Sequence, residues 1–306
     1  MGNNSNYRCY FRSLYMKLWS SIFGIALAVF FASCSEENPG VVFTKAEKPL
    51  LDTNYLIGTI PAAQSKKVLL IDITGVRCNN CPDAAAIARR IADTLNPGKV
   101  VVVALYPNSP SPSLTAPWDG YDTMVTTDAE ALAGLLGAIP NLPIGSVDQV
   151  KSNGTYFMDR ATWNGQVNNR IAVPTPLNID LNTEWLAANN KGRLDIKVTY
   201  TGAVSSKHLI YIGILESEIE GKQSNKNIKP SGIQEDYLHH HALRKLITPA
   251  TGDTLNAPLV AGRVFEKQYY ITPRYNWNAD HLECVVWVVD ATTKEVLHVN
   301  KVALKK

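Results

Sequence analysis

The chain has 306 residues, 45% of them hydrophobic, and a formal charge of +3 at pH 7, enough to bury one large core or two ordinary ones. Residues 1–33 carry Arg8, Arg12 and Lys17 and no acidic residue, so the chain that remains once they are removed is balanced in charge. A balanced surface gives a polyanion no electrostatic footing, and nucleic acid is set aside as a partner.

Lys17 is followed by an apolar run from Leu18 to Phe31 that stops at Ala32-Ser33-Cys34. The run is too short for a membrane-spanning helix and right for a signal sequence. The Phe-Ala-Ser-Cys ending resembles a bacterial lipobox, in which the peptide is cut before the cysteine and that cysteine is acylated. At about 0.8 kcal/mol per buried methylene, several acyl chains on Cys34 make a firm anchor. Residues 1–33 are thus expected to be a signal peptide and 34–50 a tether, and Met16 begins a complete signal by itself. Ser35, Glu36 and Glu37 look like the export tag of surface lipoproteins, or simply open a solvated linker. Myristoylation of Gly2 is rejected, because Asn6 stands where Ser or Thr is required.

Of the five cysteines, Cys9 leaves with the signal and Cys34 takes lipid. Cys78, Cys81 and Cys284 remain. In an exported chain the close pair Cys78/Cys81 is expected to form a disulfide. Closing so small a loop is worth only about 2 kcal/mol, so the pair reads as placed for chemistry more than for stability. Three readings stay open: a working thiol–disulfide couple, a permanently oxidised or vestigial pair, and a metal clip.

"KKVLLIDIT" is a continuous apolar run suited to a strand buried on both faces. A helix follows, with an apolar stripe through Ile87, Ile91 and Leu95, and "NPG" at 96–98 ends it. "KVVVVALYP" supplies a second buried strand, completing a right-handed crossover. This places Cys78 at the mouth of the helix, where the terminal dipole and Arg77 lower a thiol pKa, with Cys81 about one turn in as the resolving thiol and Pro82 early in the helix. The polar excursion "NSPSPSLTAPWDGYDT" reads as a loop. A helix capped by Thr127 or Asp128 comes next, and then "NLPIGSVDQ", with Pro143 just before a strand. The strand-CxxC-helix-strand-helix-Pro-strand order resembles thioredoxin, and the resemblance makes Pro143 the candidate cis-proline facing the cysteine pair. There is no tryptophan before Cys78, and Asn79-Asn80 fills the pair, so no reduction potential carries across.

From about residue 171 the pattern turns to period two. Leu194, Ile196, Val198 and Tyr200 alternate, as do the residues of "HLIYIGILESEI", and "CVVWVVDATTKEVLHVNKVAL" reads as two strands about a turn. Strands without helices between them indicate an antiparallel β-sandwich. Within it lies Tyr237-Leu238-His239-His240-His241-Ala242-Leu243-Arg244. If this is a strand, His239 and His241 share a face and are candidate metal ligands, with His281, His298, Cys284 or a carboxylate needed to complete the set. Hydrogen bonding to loops is the structural alternative, and an ion pair is that for Arg244. Cys284 alternates with Leu282, Val286 and Val288 and reads as a core thiol.

The fold class expected is therefore α/β plus all-β: a thioredoxin-like domain over 51–170 and a β-sandwich over 171–306. A lipoprotein signal, Cys78, Asn80, Cys81 and Pro82, the "LPIGSVDQ" turn, Glu216 ending "IGILE", and His239, His241, Leu243 and Arg244 together resemble the outer-membrane-protein-28-related lipoproteins of the Bacteroidota. That resemblance implies an outer-membrane address more firmly than an activity. Two functions follow as expectations. One is a binding or assembly module with a protein partner in the cell envelope, anchored by Trp118, Tyr121, Trp163, Tyr275 and Trp277 from loops. The other is a thiol–disulfide oxidoreductase in which Cys78 attacks, Cys81 resolves and Pro143 shapes the groove. No cofactor is expected beyond a metal at the histidines.

Overall fold

The computed structural model describes residues 50–306. Cys9, the apolar run and Cys34 lie outside the described residues. After a first strand β1 (Asp52–Leu56), the run Val68–Ile73 forms β2, all six residues buried. It leads into α1 (Cys81–Arg89), which continues as a π-helical turn over Arg90–Leu95 and ends before Gly98, whose φ of 72° suits a residue without Cβ. β3 (Val100–Leu105) returns parallel to β2, Val68 opposite Val100 and Ile73 opposite Leu105. The excursion after it is irregular apart from a short 3₁₀ turn at Pro112–Leu114.

α2 (Thr127–Gly134) is capped one residue earlier than expected, by Thr126, whose Oγ1 accepts from the Ala129 amide at 3.0 Å. β4 (Ile144–Val147) lies antiparallel to β2, and α3 (Trp163–Ile171) follows. The remaining chain is strand: β5 (Leu177–Leu186), β6 (Lys191–Tyr200), β7 (His208–Glu216), β8 (Ile219–Ser224), β9 (Ile233–His239), β10 (Ala242–Leu246), the two-residue β11 (Asp253–Thr254), β12 (Arg263–Ile271), β13 (Leu282–Asp290) and β14 (Val296–Ala303).

Most of these strands join two sheets. One has the order β1-β12-β6-β5; the other runs β14-β13-β7-β10-β3-β2-β4, with β11 beside β7. The expected division near residue 170 thus runs through shared sheets: β10 pairs with β3, and β1 pairs with β12. Residues 50–306 accordingly fall in one compact unit.

Period-two alternation fixes what each face of the larger sheet meets. Leu69, Ile71, Val101 and Val103 join Tyr211, Val285 and Trp287 under α2. On the opposite face, Val68, Leu70, Val100 and Val102 pack against α1 and α3, while Ile212, Ile214, Cys284, Val286 and Val288 pack against the four-stranded sheet. One continuous sheet therefore has helices over one half of a face and a second sheet over the other half.

Trp163, expected in a loop, begins α3 and is fully buried. Its ring lies on the β4 backbone at Gly145, where a Cβ would come within 2.4 Å of it, and its Nε1 donates to the Met158 carbonyl at 3.1 Å. A buried ionic knot ties the two stretches of sequence together. Asp148, just past β4, accepts from the Leu69 amide at 2.9 Å and from Arg170 Nε at 2.9 Å, and lies 3.0 Å from Lys66 Nζ. Lys66 also donates to the Val296 and Leu297 carbonyls, and Arg170 pairs with Glu295. Among the described residues no helix is long and apolar enough to cross a membrane.

Candidate functional site

Cys78 and Cys81 are joined in a disulfide, their Cα atoms 5.4 Å apart. The helix begins at Cys81 itself, with Asn80 as its cap residue and Pro82 in the first turn. Cys78 therefore lies in the turn just before α1, where its amide donates to the Gly75 carbonyl at 3.1 Å. Both cysteines are buried, at 4% and 1% exposure. With the bond closed neither sulfur titrates, and the dipole-lowered thiolate expected at Cys78 belongs only to a reduced state.

The cover over this turn comes from far along the chain. The β8–β9 hairpin lies on the Cys78–Cys81 loop, and Gln223, 2% exposed, presents its side-chain amide nitrogen to the carbonyls of Gly75 (3.1 Å), Cys78 (3.1 Å) and Ser224 (3.0 Å). The Ser224 amide donates to the Val76 carbonyl and the Lys226 amide to the Asn79 carbonyl. Lys226 Nζ is 2.5 Å from Asp83 in the first turn of α1, and Asn227 donates to the same carboxylate. Apart from the bond to Ser224 within the hairpin, these contacts tie the hairpin to the loop and to the first turn of α1, so the hairpin covers the disulfide.

Behind the disulfide lies a residue that sequence reading passed over. Asp72, on β2, is 2% exposed and its Oδ1 has no hydrogen-bond partner. It lines a space of about 20 Å³ together with Thr74, Cys81, Tyr106 and Gln223. Burial raises its pKa to about 7, with Arg160 acting weakly the other way. A lone acid inside the apolar run "VLLIDIT" was the available signal, since an unpaired carboxylate is not retained in a strand buried on both faces for packing.

Pro143 follows a cis Leu142–Pro143 peptide bond and directly precedes β4, whose Ile144 pairs with Ile73 at the end of β2 from which the cysteine loop departs. The histidines fare differently. β9 ends at His239, and His241 has φ 55°, outside strand geometry. The period-two argument therefore fails, and the two rings separate. His239 is buried, its Nδ1 3.2 Å from Tyr106 Oη, and burial lowers its pKa to about 3. His241 lies 3.7 Å from Glu283. Among the described residues no group of three or more His, Cys, Asp and Glu side chains is placed to hold a metal, so the expected His239/His241 ligand pair is not assembled. Of the residues considered to complete it, His281 faces Glu218 at 3.3 Å, His298 is held between the Lys67 amide and Gln64 Oε1, and Cys284 is buried in the core with its pKa raised to about 12 by desolvation.

A larger cavity of about 330 Å³ opens where the excursion after β3 meets the start of the hairpin, walled by Trp118, Tyr121, Met124, Gly221, His239 and Arg244 among others. Trp118 is fixed by Arg77, whose guanidinium carbon sits 3.9 Å over its ring while Nε and Nη2 bond the Ala116 and Pro117 carbonyls. Arg244, 7% exposed, has its Nε 3.1 Å from Glu216 Oε2. Glu216 is also buried and accepts from the Asn278 amide. Tyr275 is fully exposed, and Trp277 lies under the Arg244 and Arg274 guanidinium groups.

A mixed sheet flanked by helices and a second sheet, with a covered disulfide just before its first helix, is the frame that holds the candidate site. Residues 139–306 match the family described as Outer membrane protein Omp28, and the chain belongs to that family. The family's description places its members at the outer membrane. The match takes in Pro143, Glu216, His239 and Arg244 and leaves out Cys78 and Cys81. Among solved structures, protein AGR_C_4864 from Agrobacterium tumefaciens is 12% identical, covering 79% of this chain and 96% of that one at a TM-score of 0.48. A domain of the outer membrane lipoprotein Omp28 from Porphyromonas gingivalis is 20% identical, covering 43% and 89% at a TM-score of 0.29. No curated protein matches the chain.

Proposed function

We propose that the chain is a binding or assembly module, tethered to the outer membrane through acylated Cys34, in which β2–α1–β3, α2, β4 and α3 form a thioredoxin-like scaffold and the Cys78–Cys81 bond is structural. Support for the scaffold comes from the parallel β2/β3 pair joined through α1 and from the antiparallel β4 beside β2. The observation that carries the reading is the closed cover: both sulfurs are buried, and the Gln223 amide is fastened to the loop that holds them. The test is alkylation of the purified chain after incubation with a mild dithiol near pH 7. The module reading expects Cys78 and Cys81 to label only when denaturant is added; ready labelling of the folded chain sinks it.

A second reading, thiol–disulfide exchange, is favoured by Asp72. An external dithiol would supply two electrons to open the bond, becoming a disulfide itself. Asp72, poised between its protonated and ionised forms near pH 7, would exchange the proton of the Cys81 thiol across the space both residues line. This reading expects Asp72→Asn to slow reduction by dithiol at pH 7 while leaving the fold intact. Equal rates in the two proteins dispose of it.

A further inference from the structure

The cavity between the excursion and the hairpin has the size of a small-molecule site and a mixed lining, with an aromatic and apolar side facing charged groups. Its deepest charge is Arg244. The guanidinium is more than nine-tenths buried, its Nε lies 3.1 Å from Glu216, Asp122 attracts it from the cavity wall, and its two terminal nitrogens make no hydrogen bond among the described residues. A buried guanidinium fork left open is matched in shape to a carboxylate, which it binds through two parallel hydrogen bonds. Lys222, the other cation on the cavity wall, is engaged with Glu235 at 2.7 Å, and Arg77 behind Trp118 is engaged with backbone carbonyls. Two carboxylates, Asp122 and the exposed Glu220, stand on the cavity wall, and their charge disfavours a polyanion such as phosphate. Trp118, Tyr121 and Met124 supply an apolar, aromatic wall, and His239, kept neutral by burial, adds no second positive charge.

We infer that this cavity binds a small monocarboxylate carried on an aromatic or apolar body, with Arg244 holding the carboxylate and Trp118, Tyr121 and Met124 enclosing the body. The inference deepens the binding-module reading and rests on it, by naming the ligand class. Nothing covalent is required of the site.

The test uses the full chain in detergent and two probes of nearly the same shape, indole-3-acetate and indole-3-acetamide, followed by calorimetric titration. The acetate is expected to bind at least tenfold more tightly than the amide, and inorganic phosphate not to displace it. Arg244→Gln abolishes the preference, leaving both probes at the amide's affinity. Trp118→Ala, in the surface excursion, weakens both probes by a similar factor and keeps their ratio. Equal binding of the two probes by the unaltered chain, no saturable binding of either, or a preference that survives Arg244→Gln overturns the inference. Should Arg244→Gln not fold, the ratio in the unaltered chain and in Trp118→Ala decides. Failure here leaves the module reading standing, because that reading falls on a separate result, the labelling of sulfurs in the folded chain.

Discussion

Asp72 on β2 and Asp148 just past the neighbouring β4 are both buried, with exposures of 2% and 0%. Asp148 is met by Lys66, Arg170 and the Leu69 amide, whereas Asp72 has an Oδ1 without a partner and a space beside Cys81. Burial alone therefore does not say what a carboxylate is for. Cations arriving from α3 and the lead into β2 pair with Asp148, while burial raises the pKa of Asp72.

Mutation should separate the two sites most sharply. Asp148→Ala strips the counter-charge from buried Lys66, leaving Arg170 with Glu295 alone, and should cost about 3–5 kcal/mol in urea unfolding, since a buried charge is left uncompensated. If stability hardly changes, the knot is not what joins the helix-covered and sandwich-covered halves of the sheet. Asp72→Asn should act in the opposite sense. The folded pKa near 7 lies above that of the unfolded chain, so the native protein holds a proton the unfolded one has released, and stability falls as pH rises from about 4 through 7. The neutral amide removes that loss, giving a gain of up to about 4 kcal/mol at pH 8 that vanishes near pH 4. Unfolding curves at both pH values check the sign, and a gain independent of pH would point to packing instead.

Smaller effects sharpen the contrast at the disulfide. Replacing Cys78 and Cys81 together by alanine should cost about 2 kcal/mol, the entropy of a short closed loop; calorimetry showing a much larger loss would mean that the bond also positions the hairpin. Gln223→Ala should cost about 1 kcal/mol, one hydrogen-bonding side chain, and speed reduction of the bond by dithiol, because the clamp between hairpin and loop is gone. An unchanged reduction rate would show that the hairpin does not control access.

Much of the framework was legible in the chain itself. The continuous apolar runs gave β2 and β3, the Ala-rich stretch after Cys81 gave α1, and the alternation of Leu194, Ile196, Val198 and Tyr200 gave a strand whose four side chains all face the core. These signals are local, because strand and helix periodicity is written in neighbouring residues. α3 escaped notice because "WNGQVNNR" has little apolar patterning, and its packing rests on one tryptophan seated over Gly145. The His239/His241 reading failed for a related reason. It assumed a strand through a turn, and the left-handed backbone at His241 breaks the alternation on which the shared face depended.

The sequence by itself determined which segments are buried, that two cysteines stand before a helix, and that a polar excursion rich in proline follows the second buried strand. Tertiary structure alone decided that Gln223, 145 residues beyond Cys78, would close over the disulfide, that Asp148 would find cations and Asp72 would not, and that Arg244 and Trp118 would line one cavity. The physical reason is that burial follows from local composition, whereas the partner of a buried polar group is supplied by whichever distant segment folds against it, and no periodicity in the chain encodes that choice.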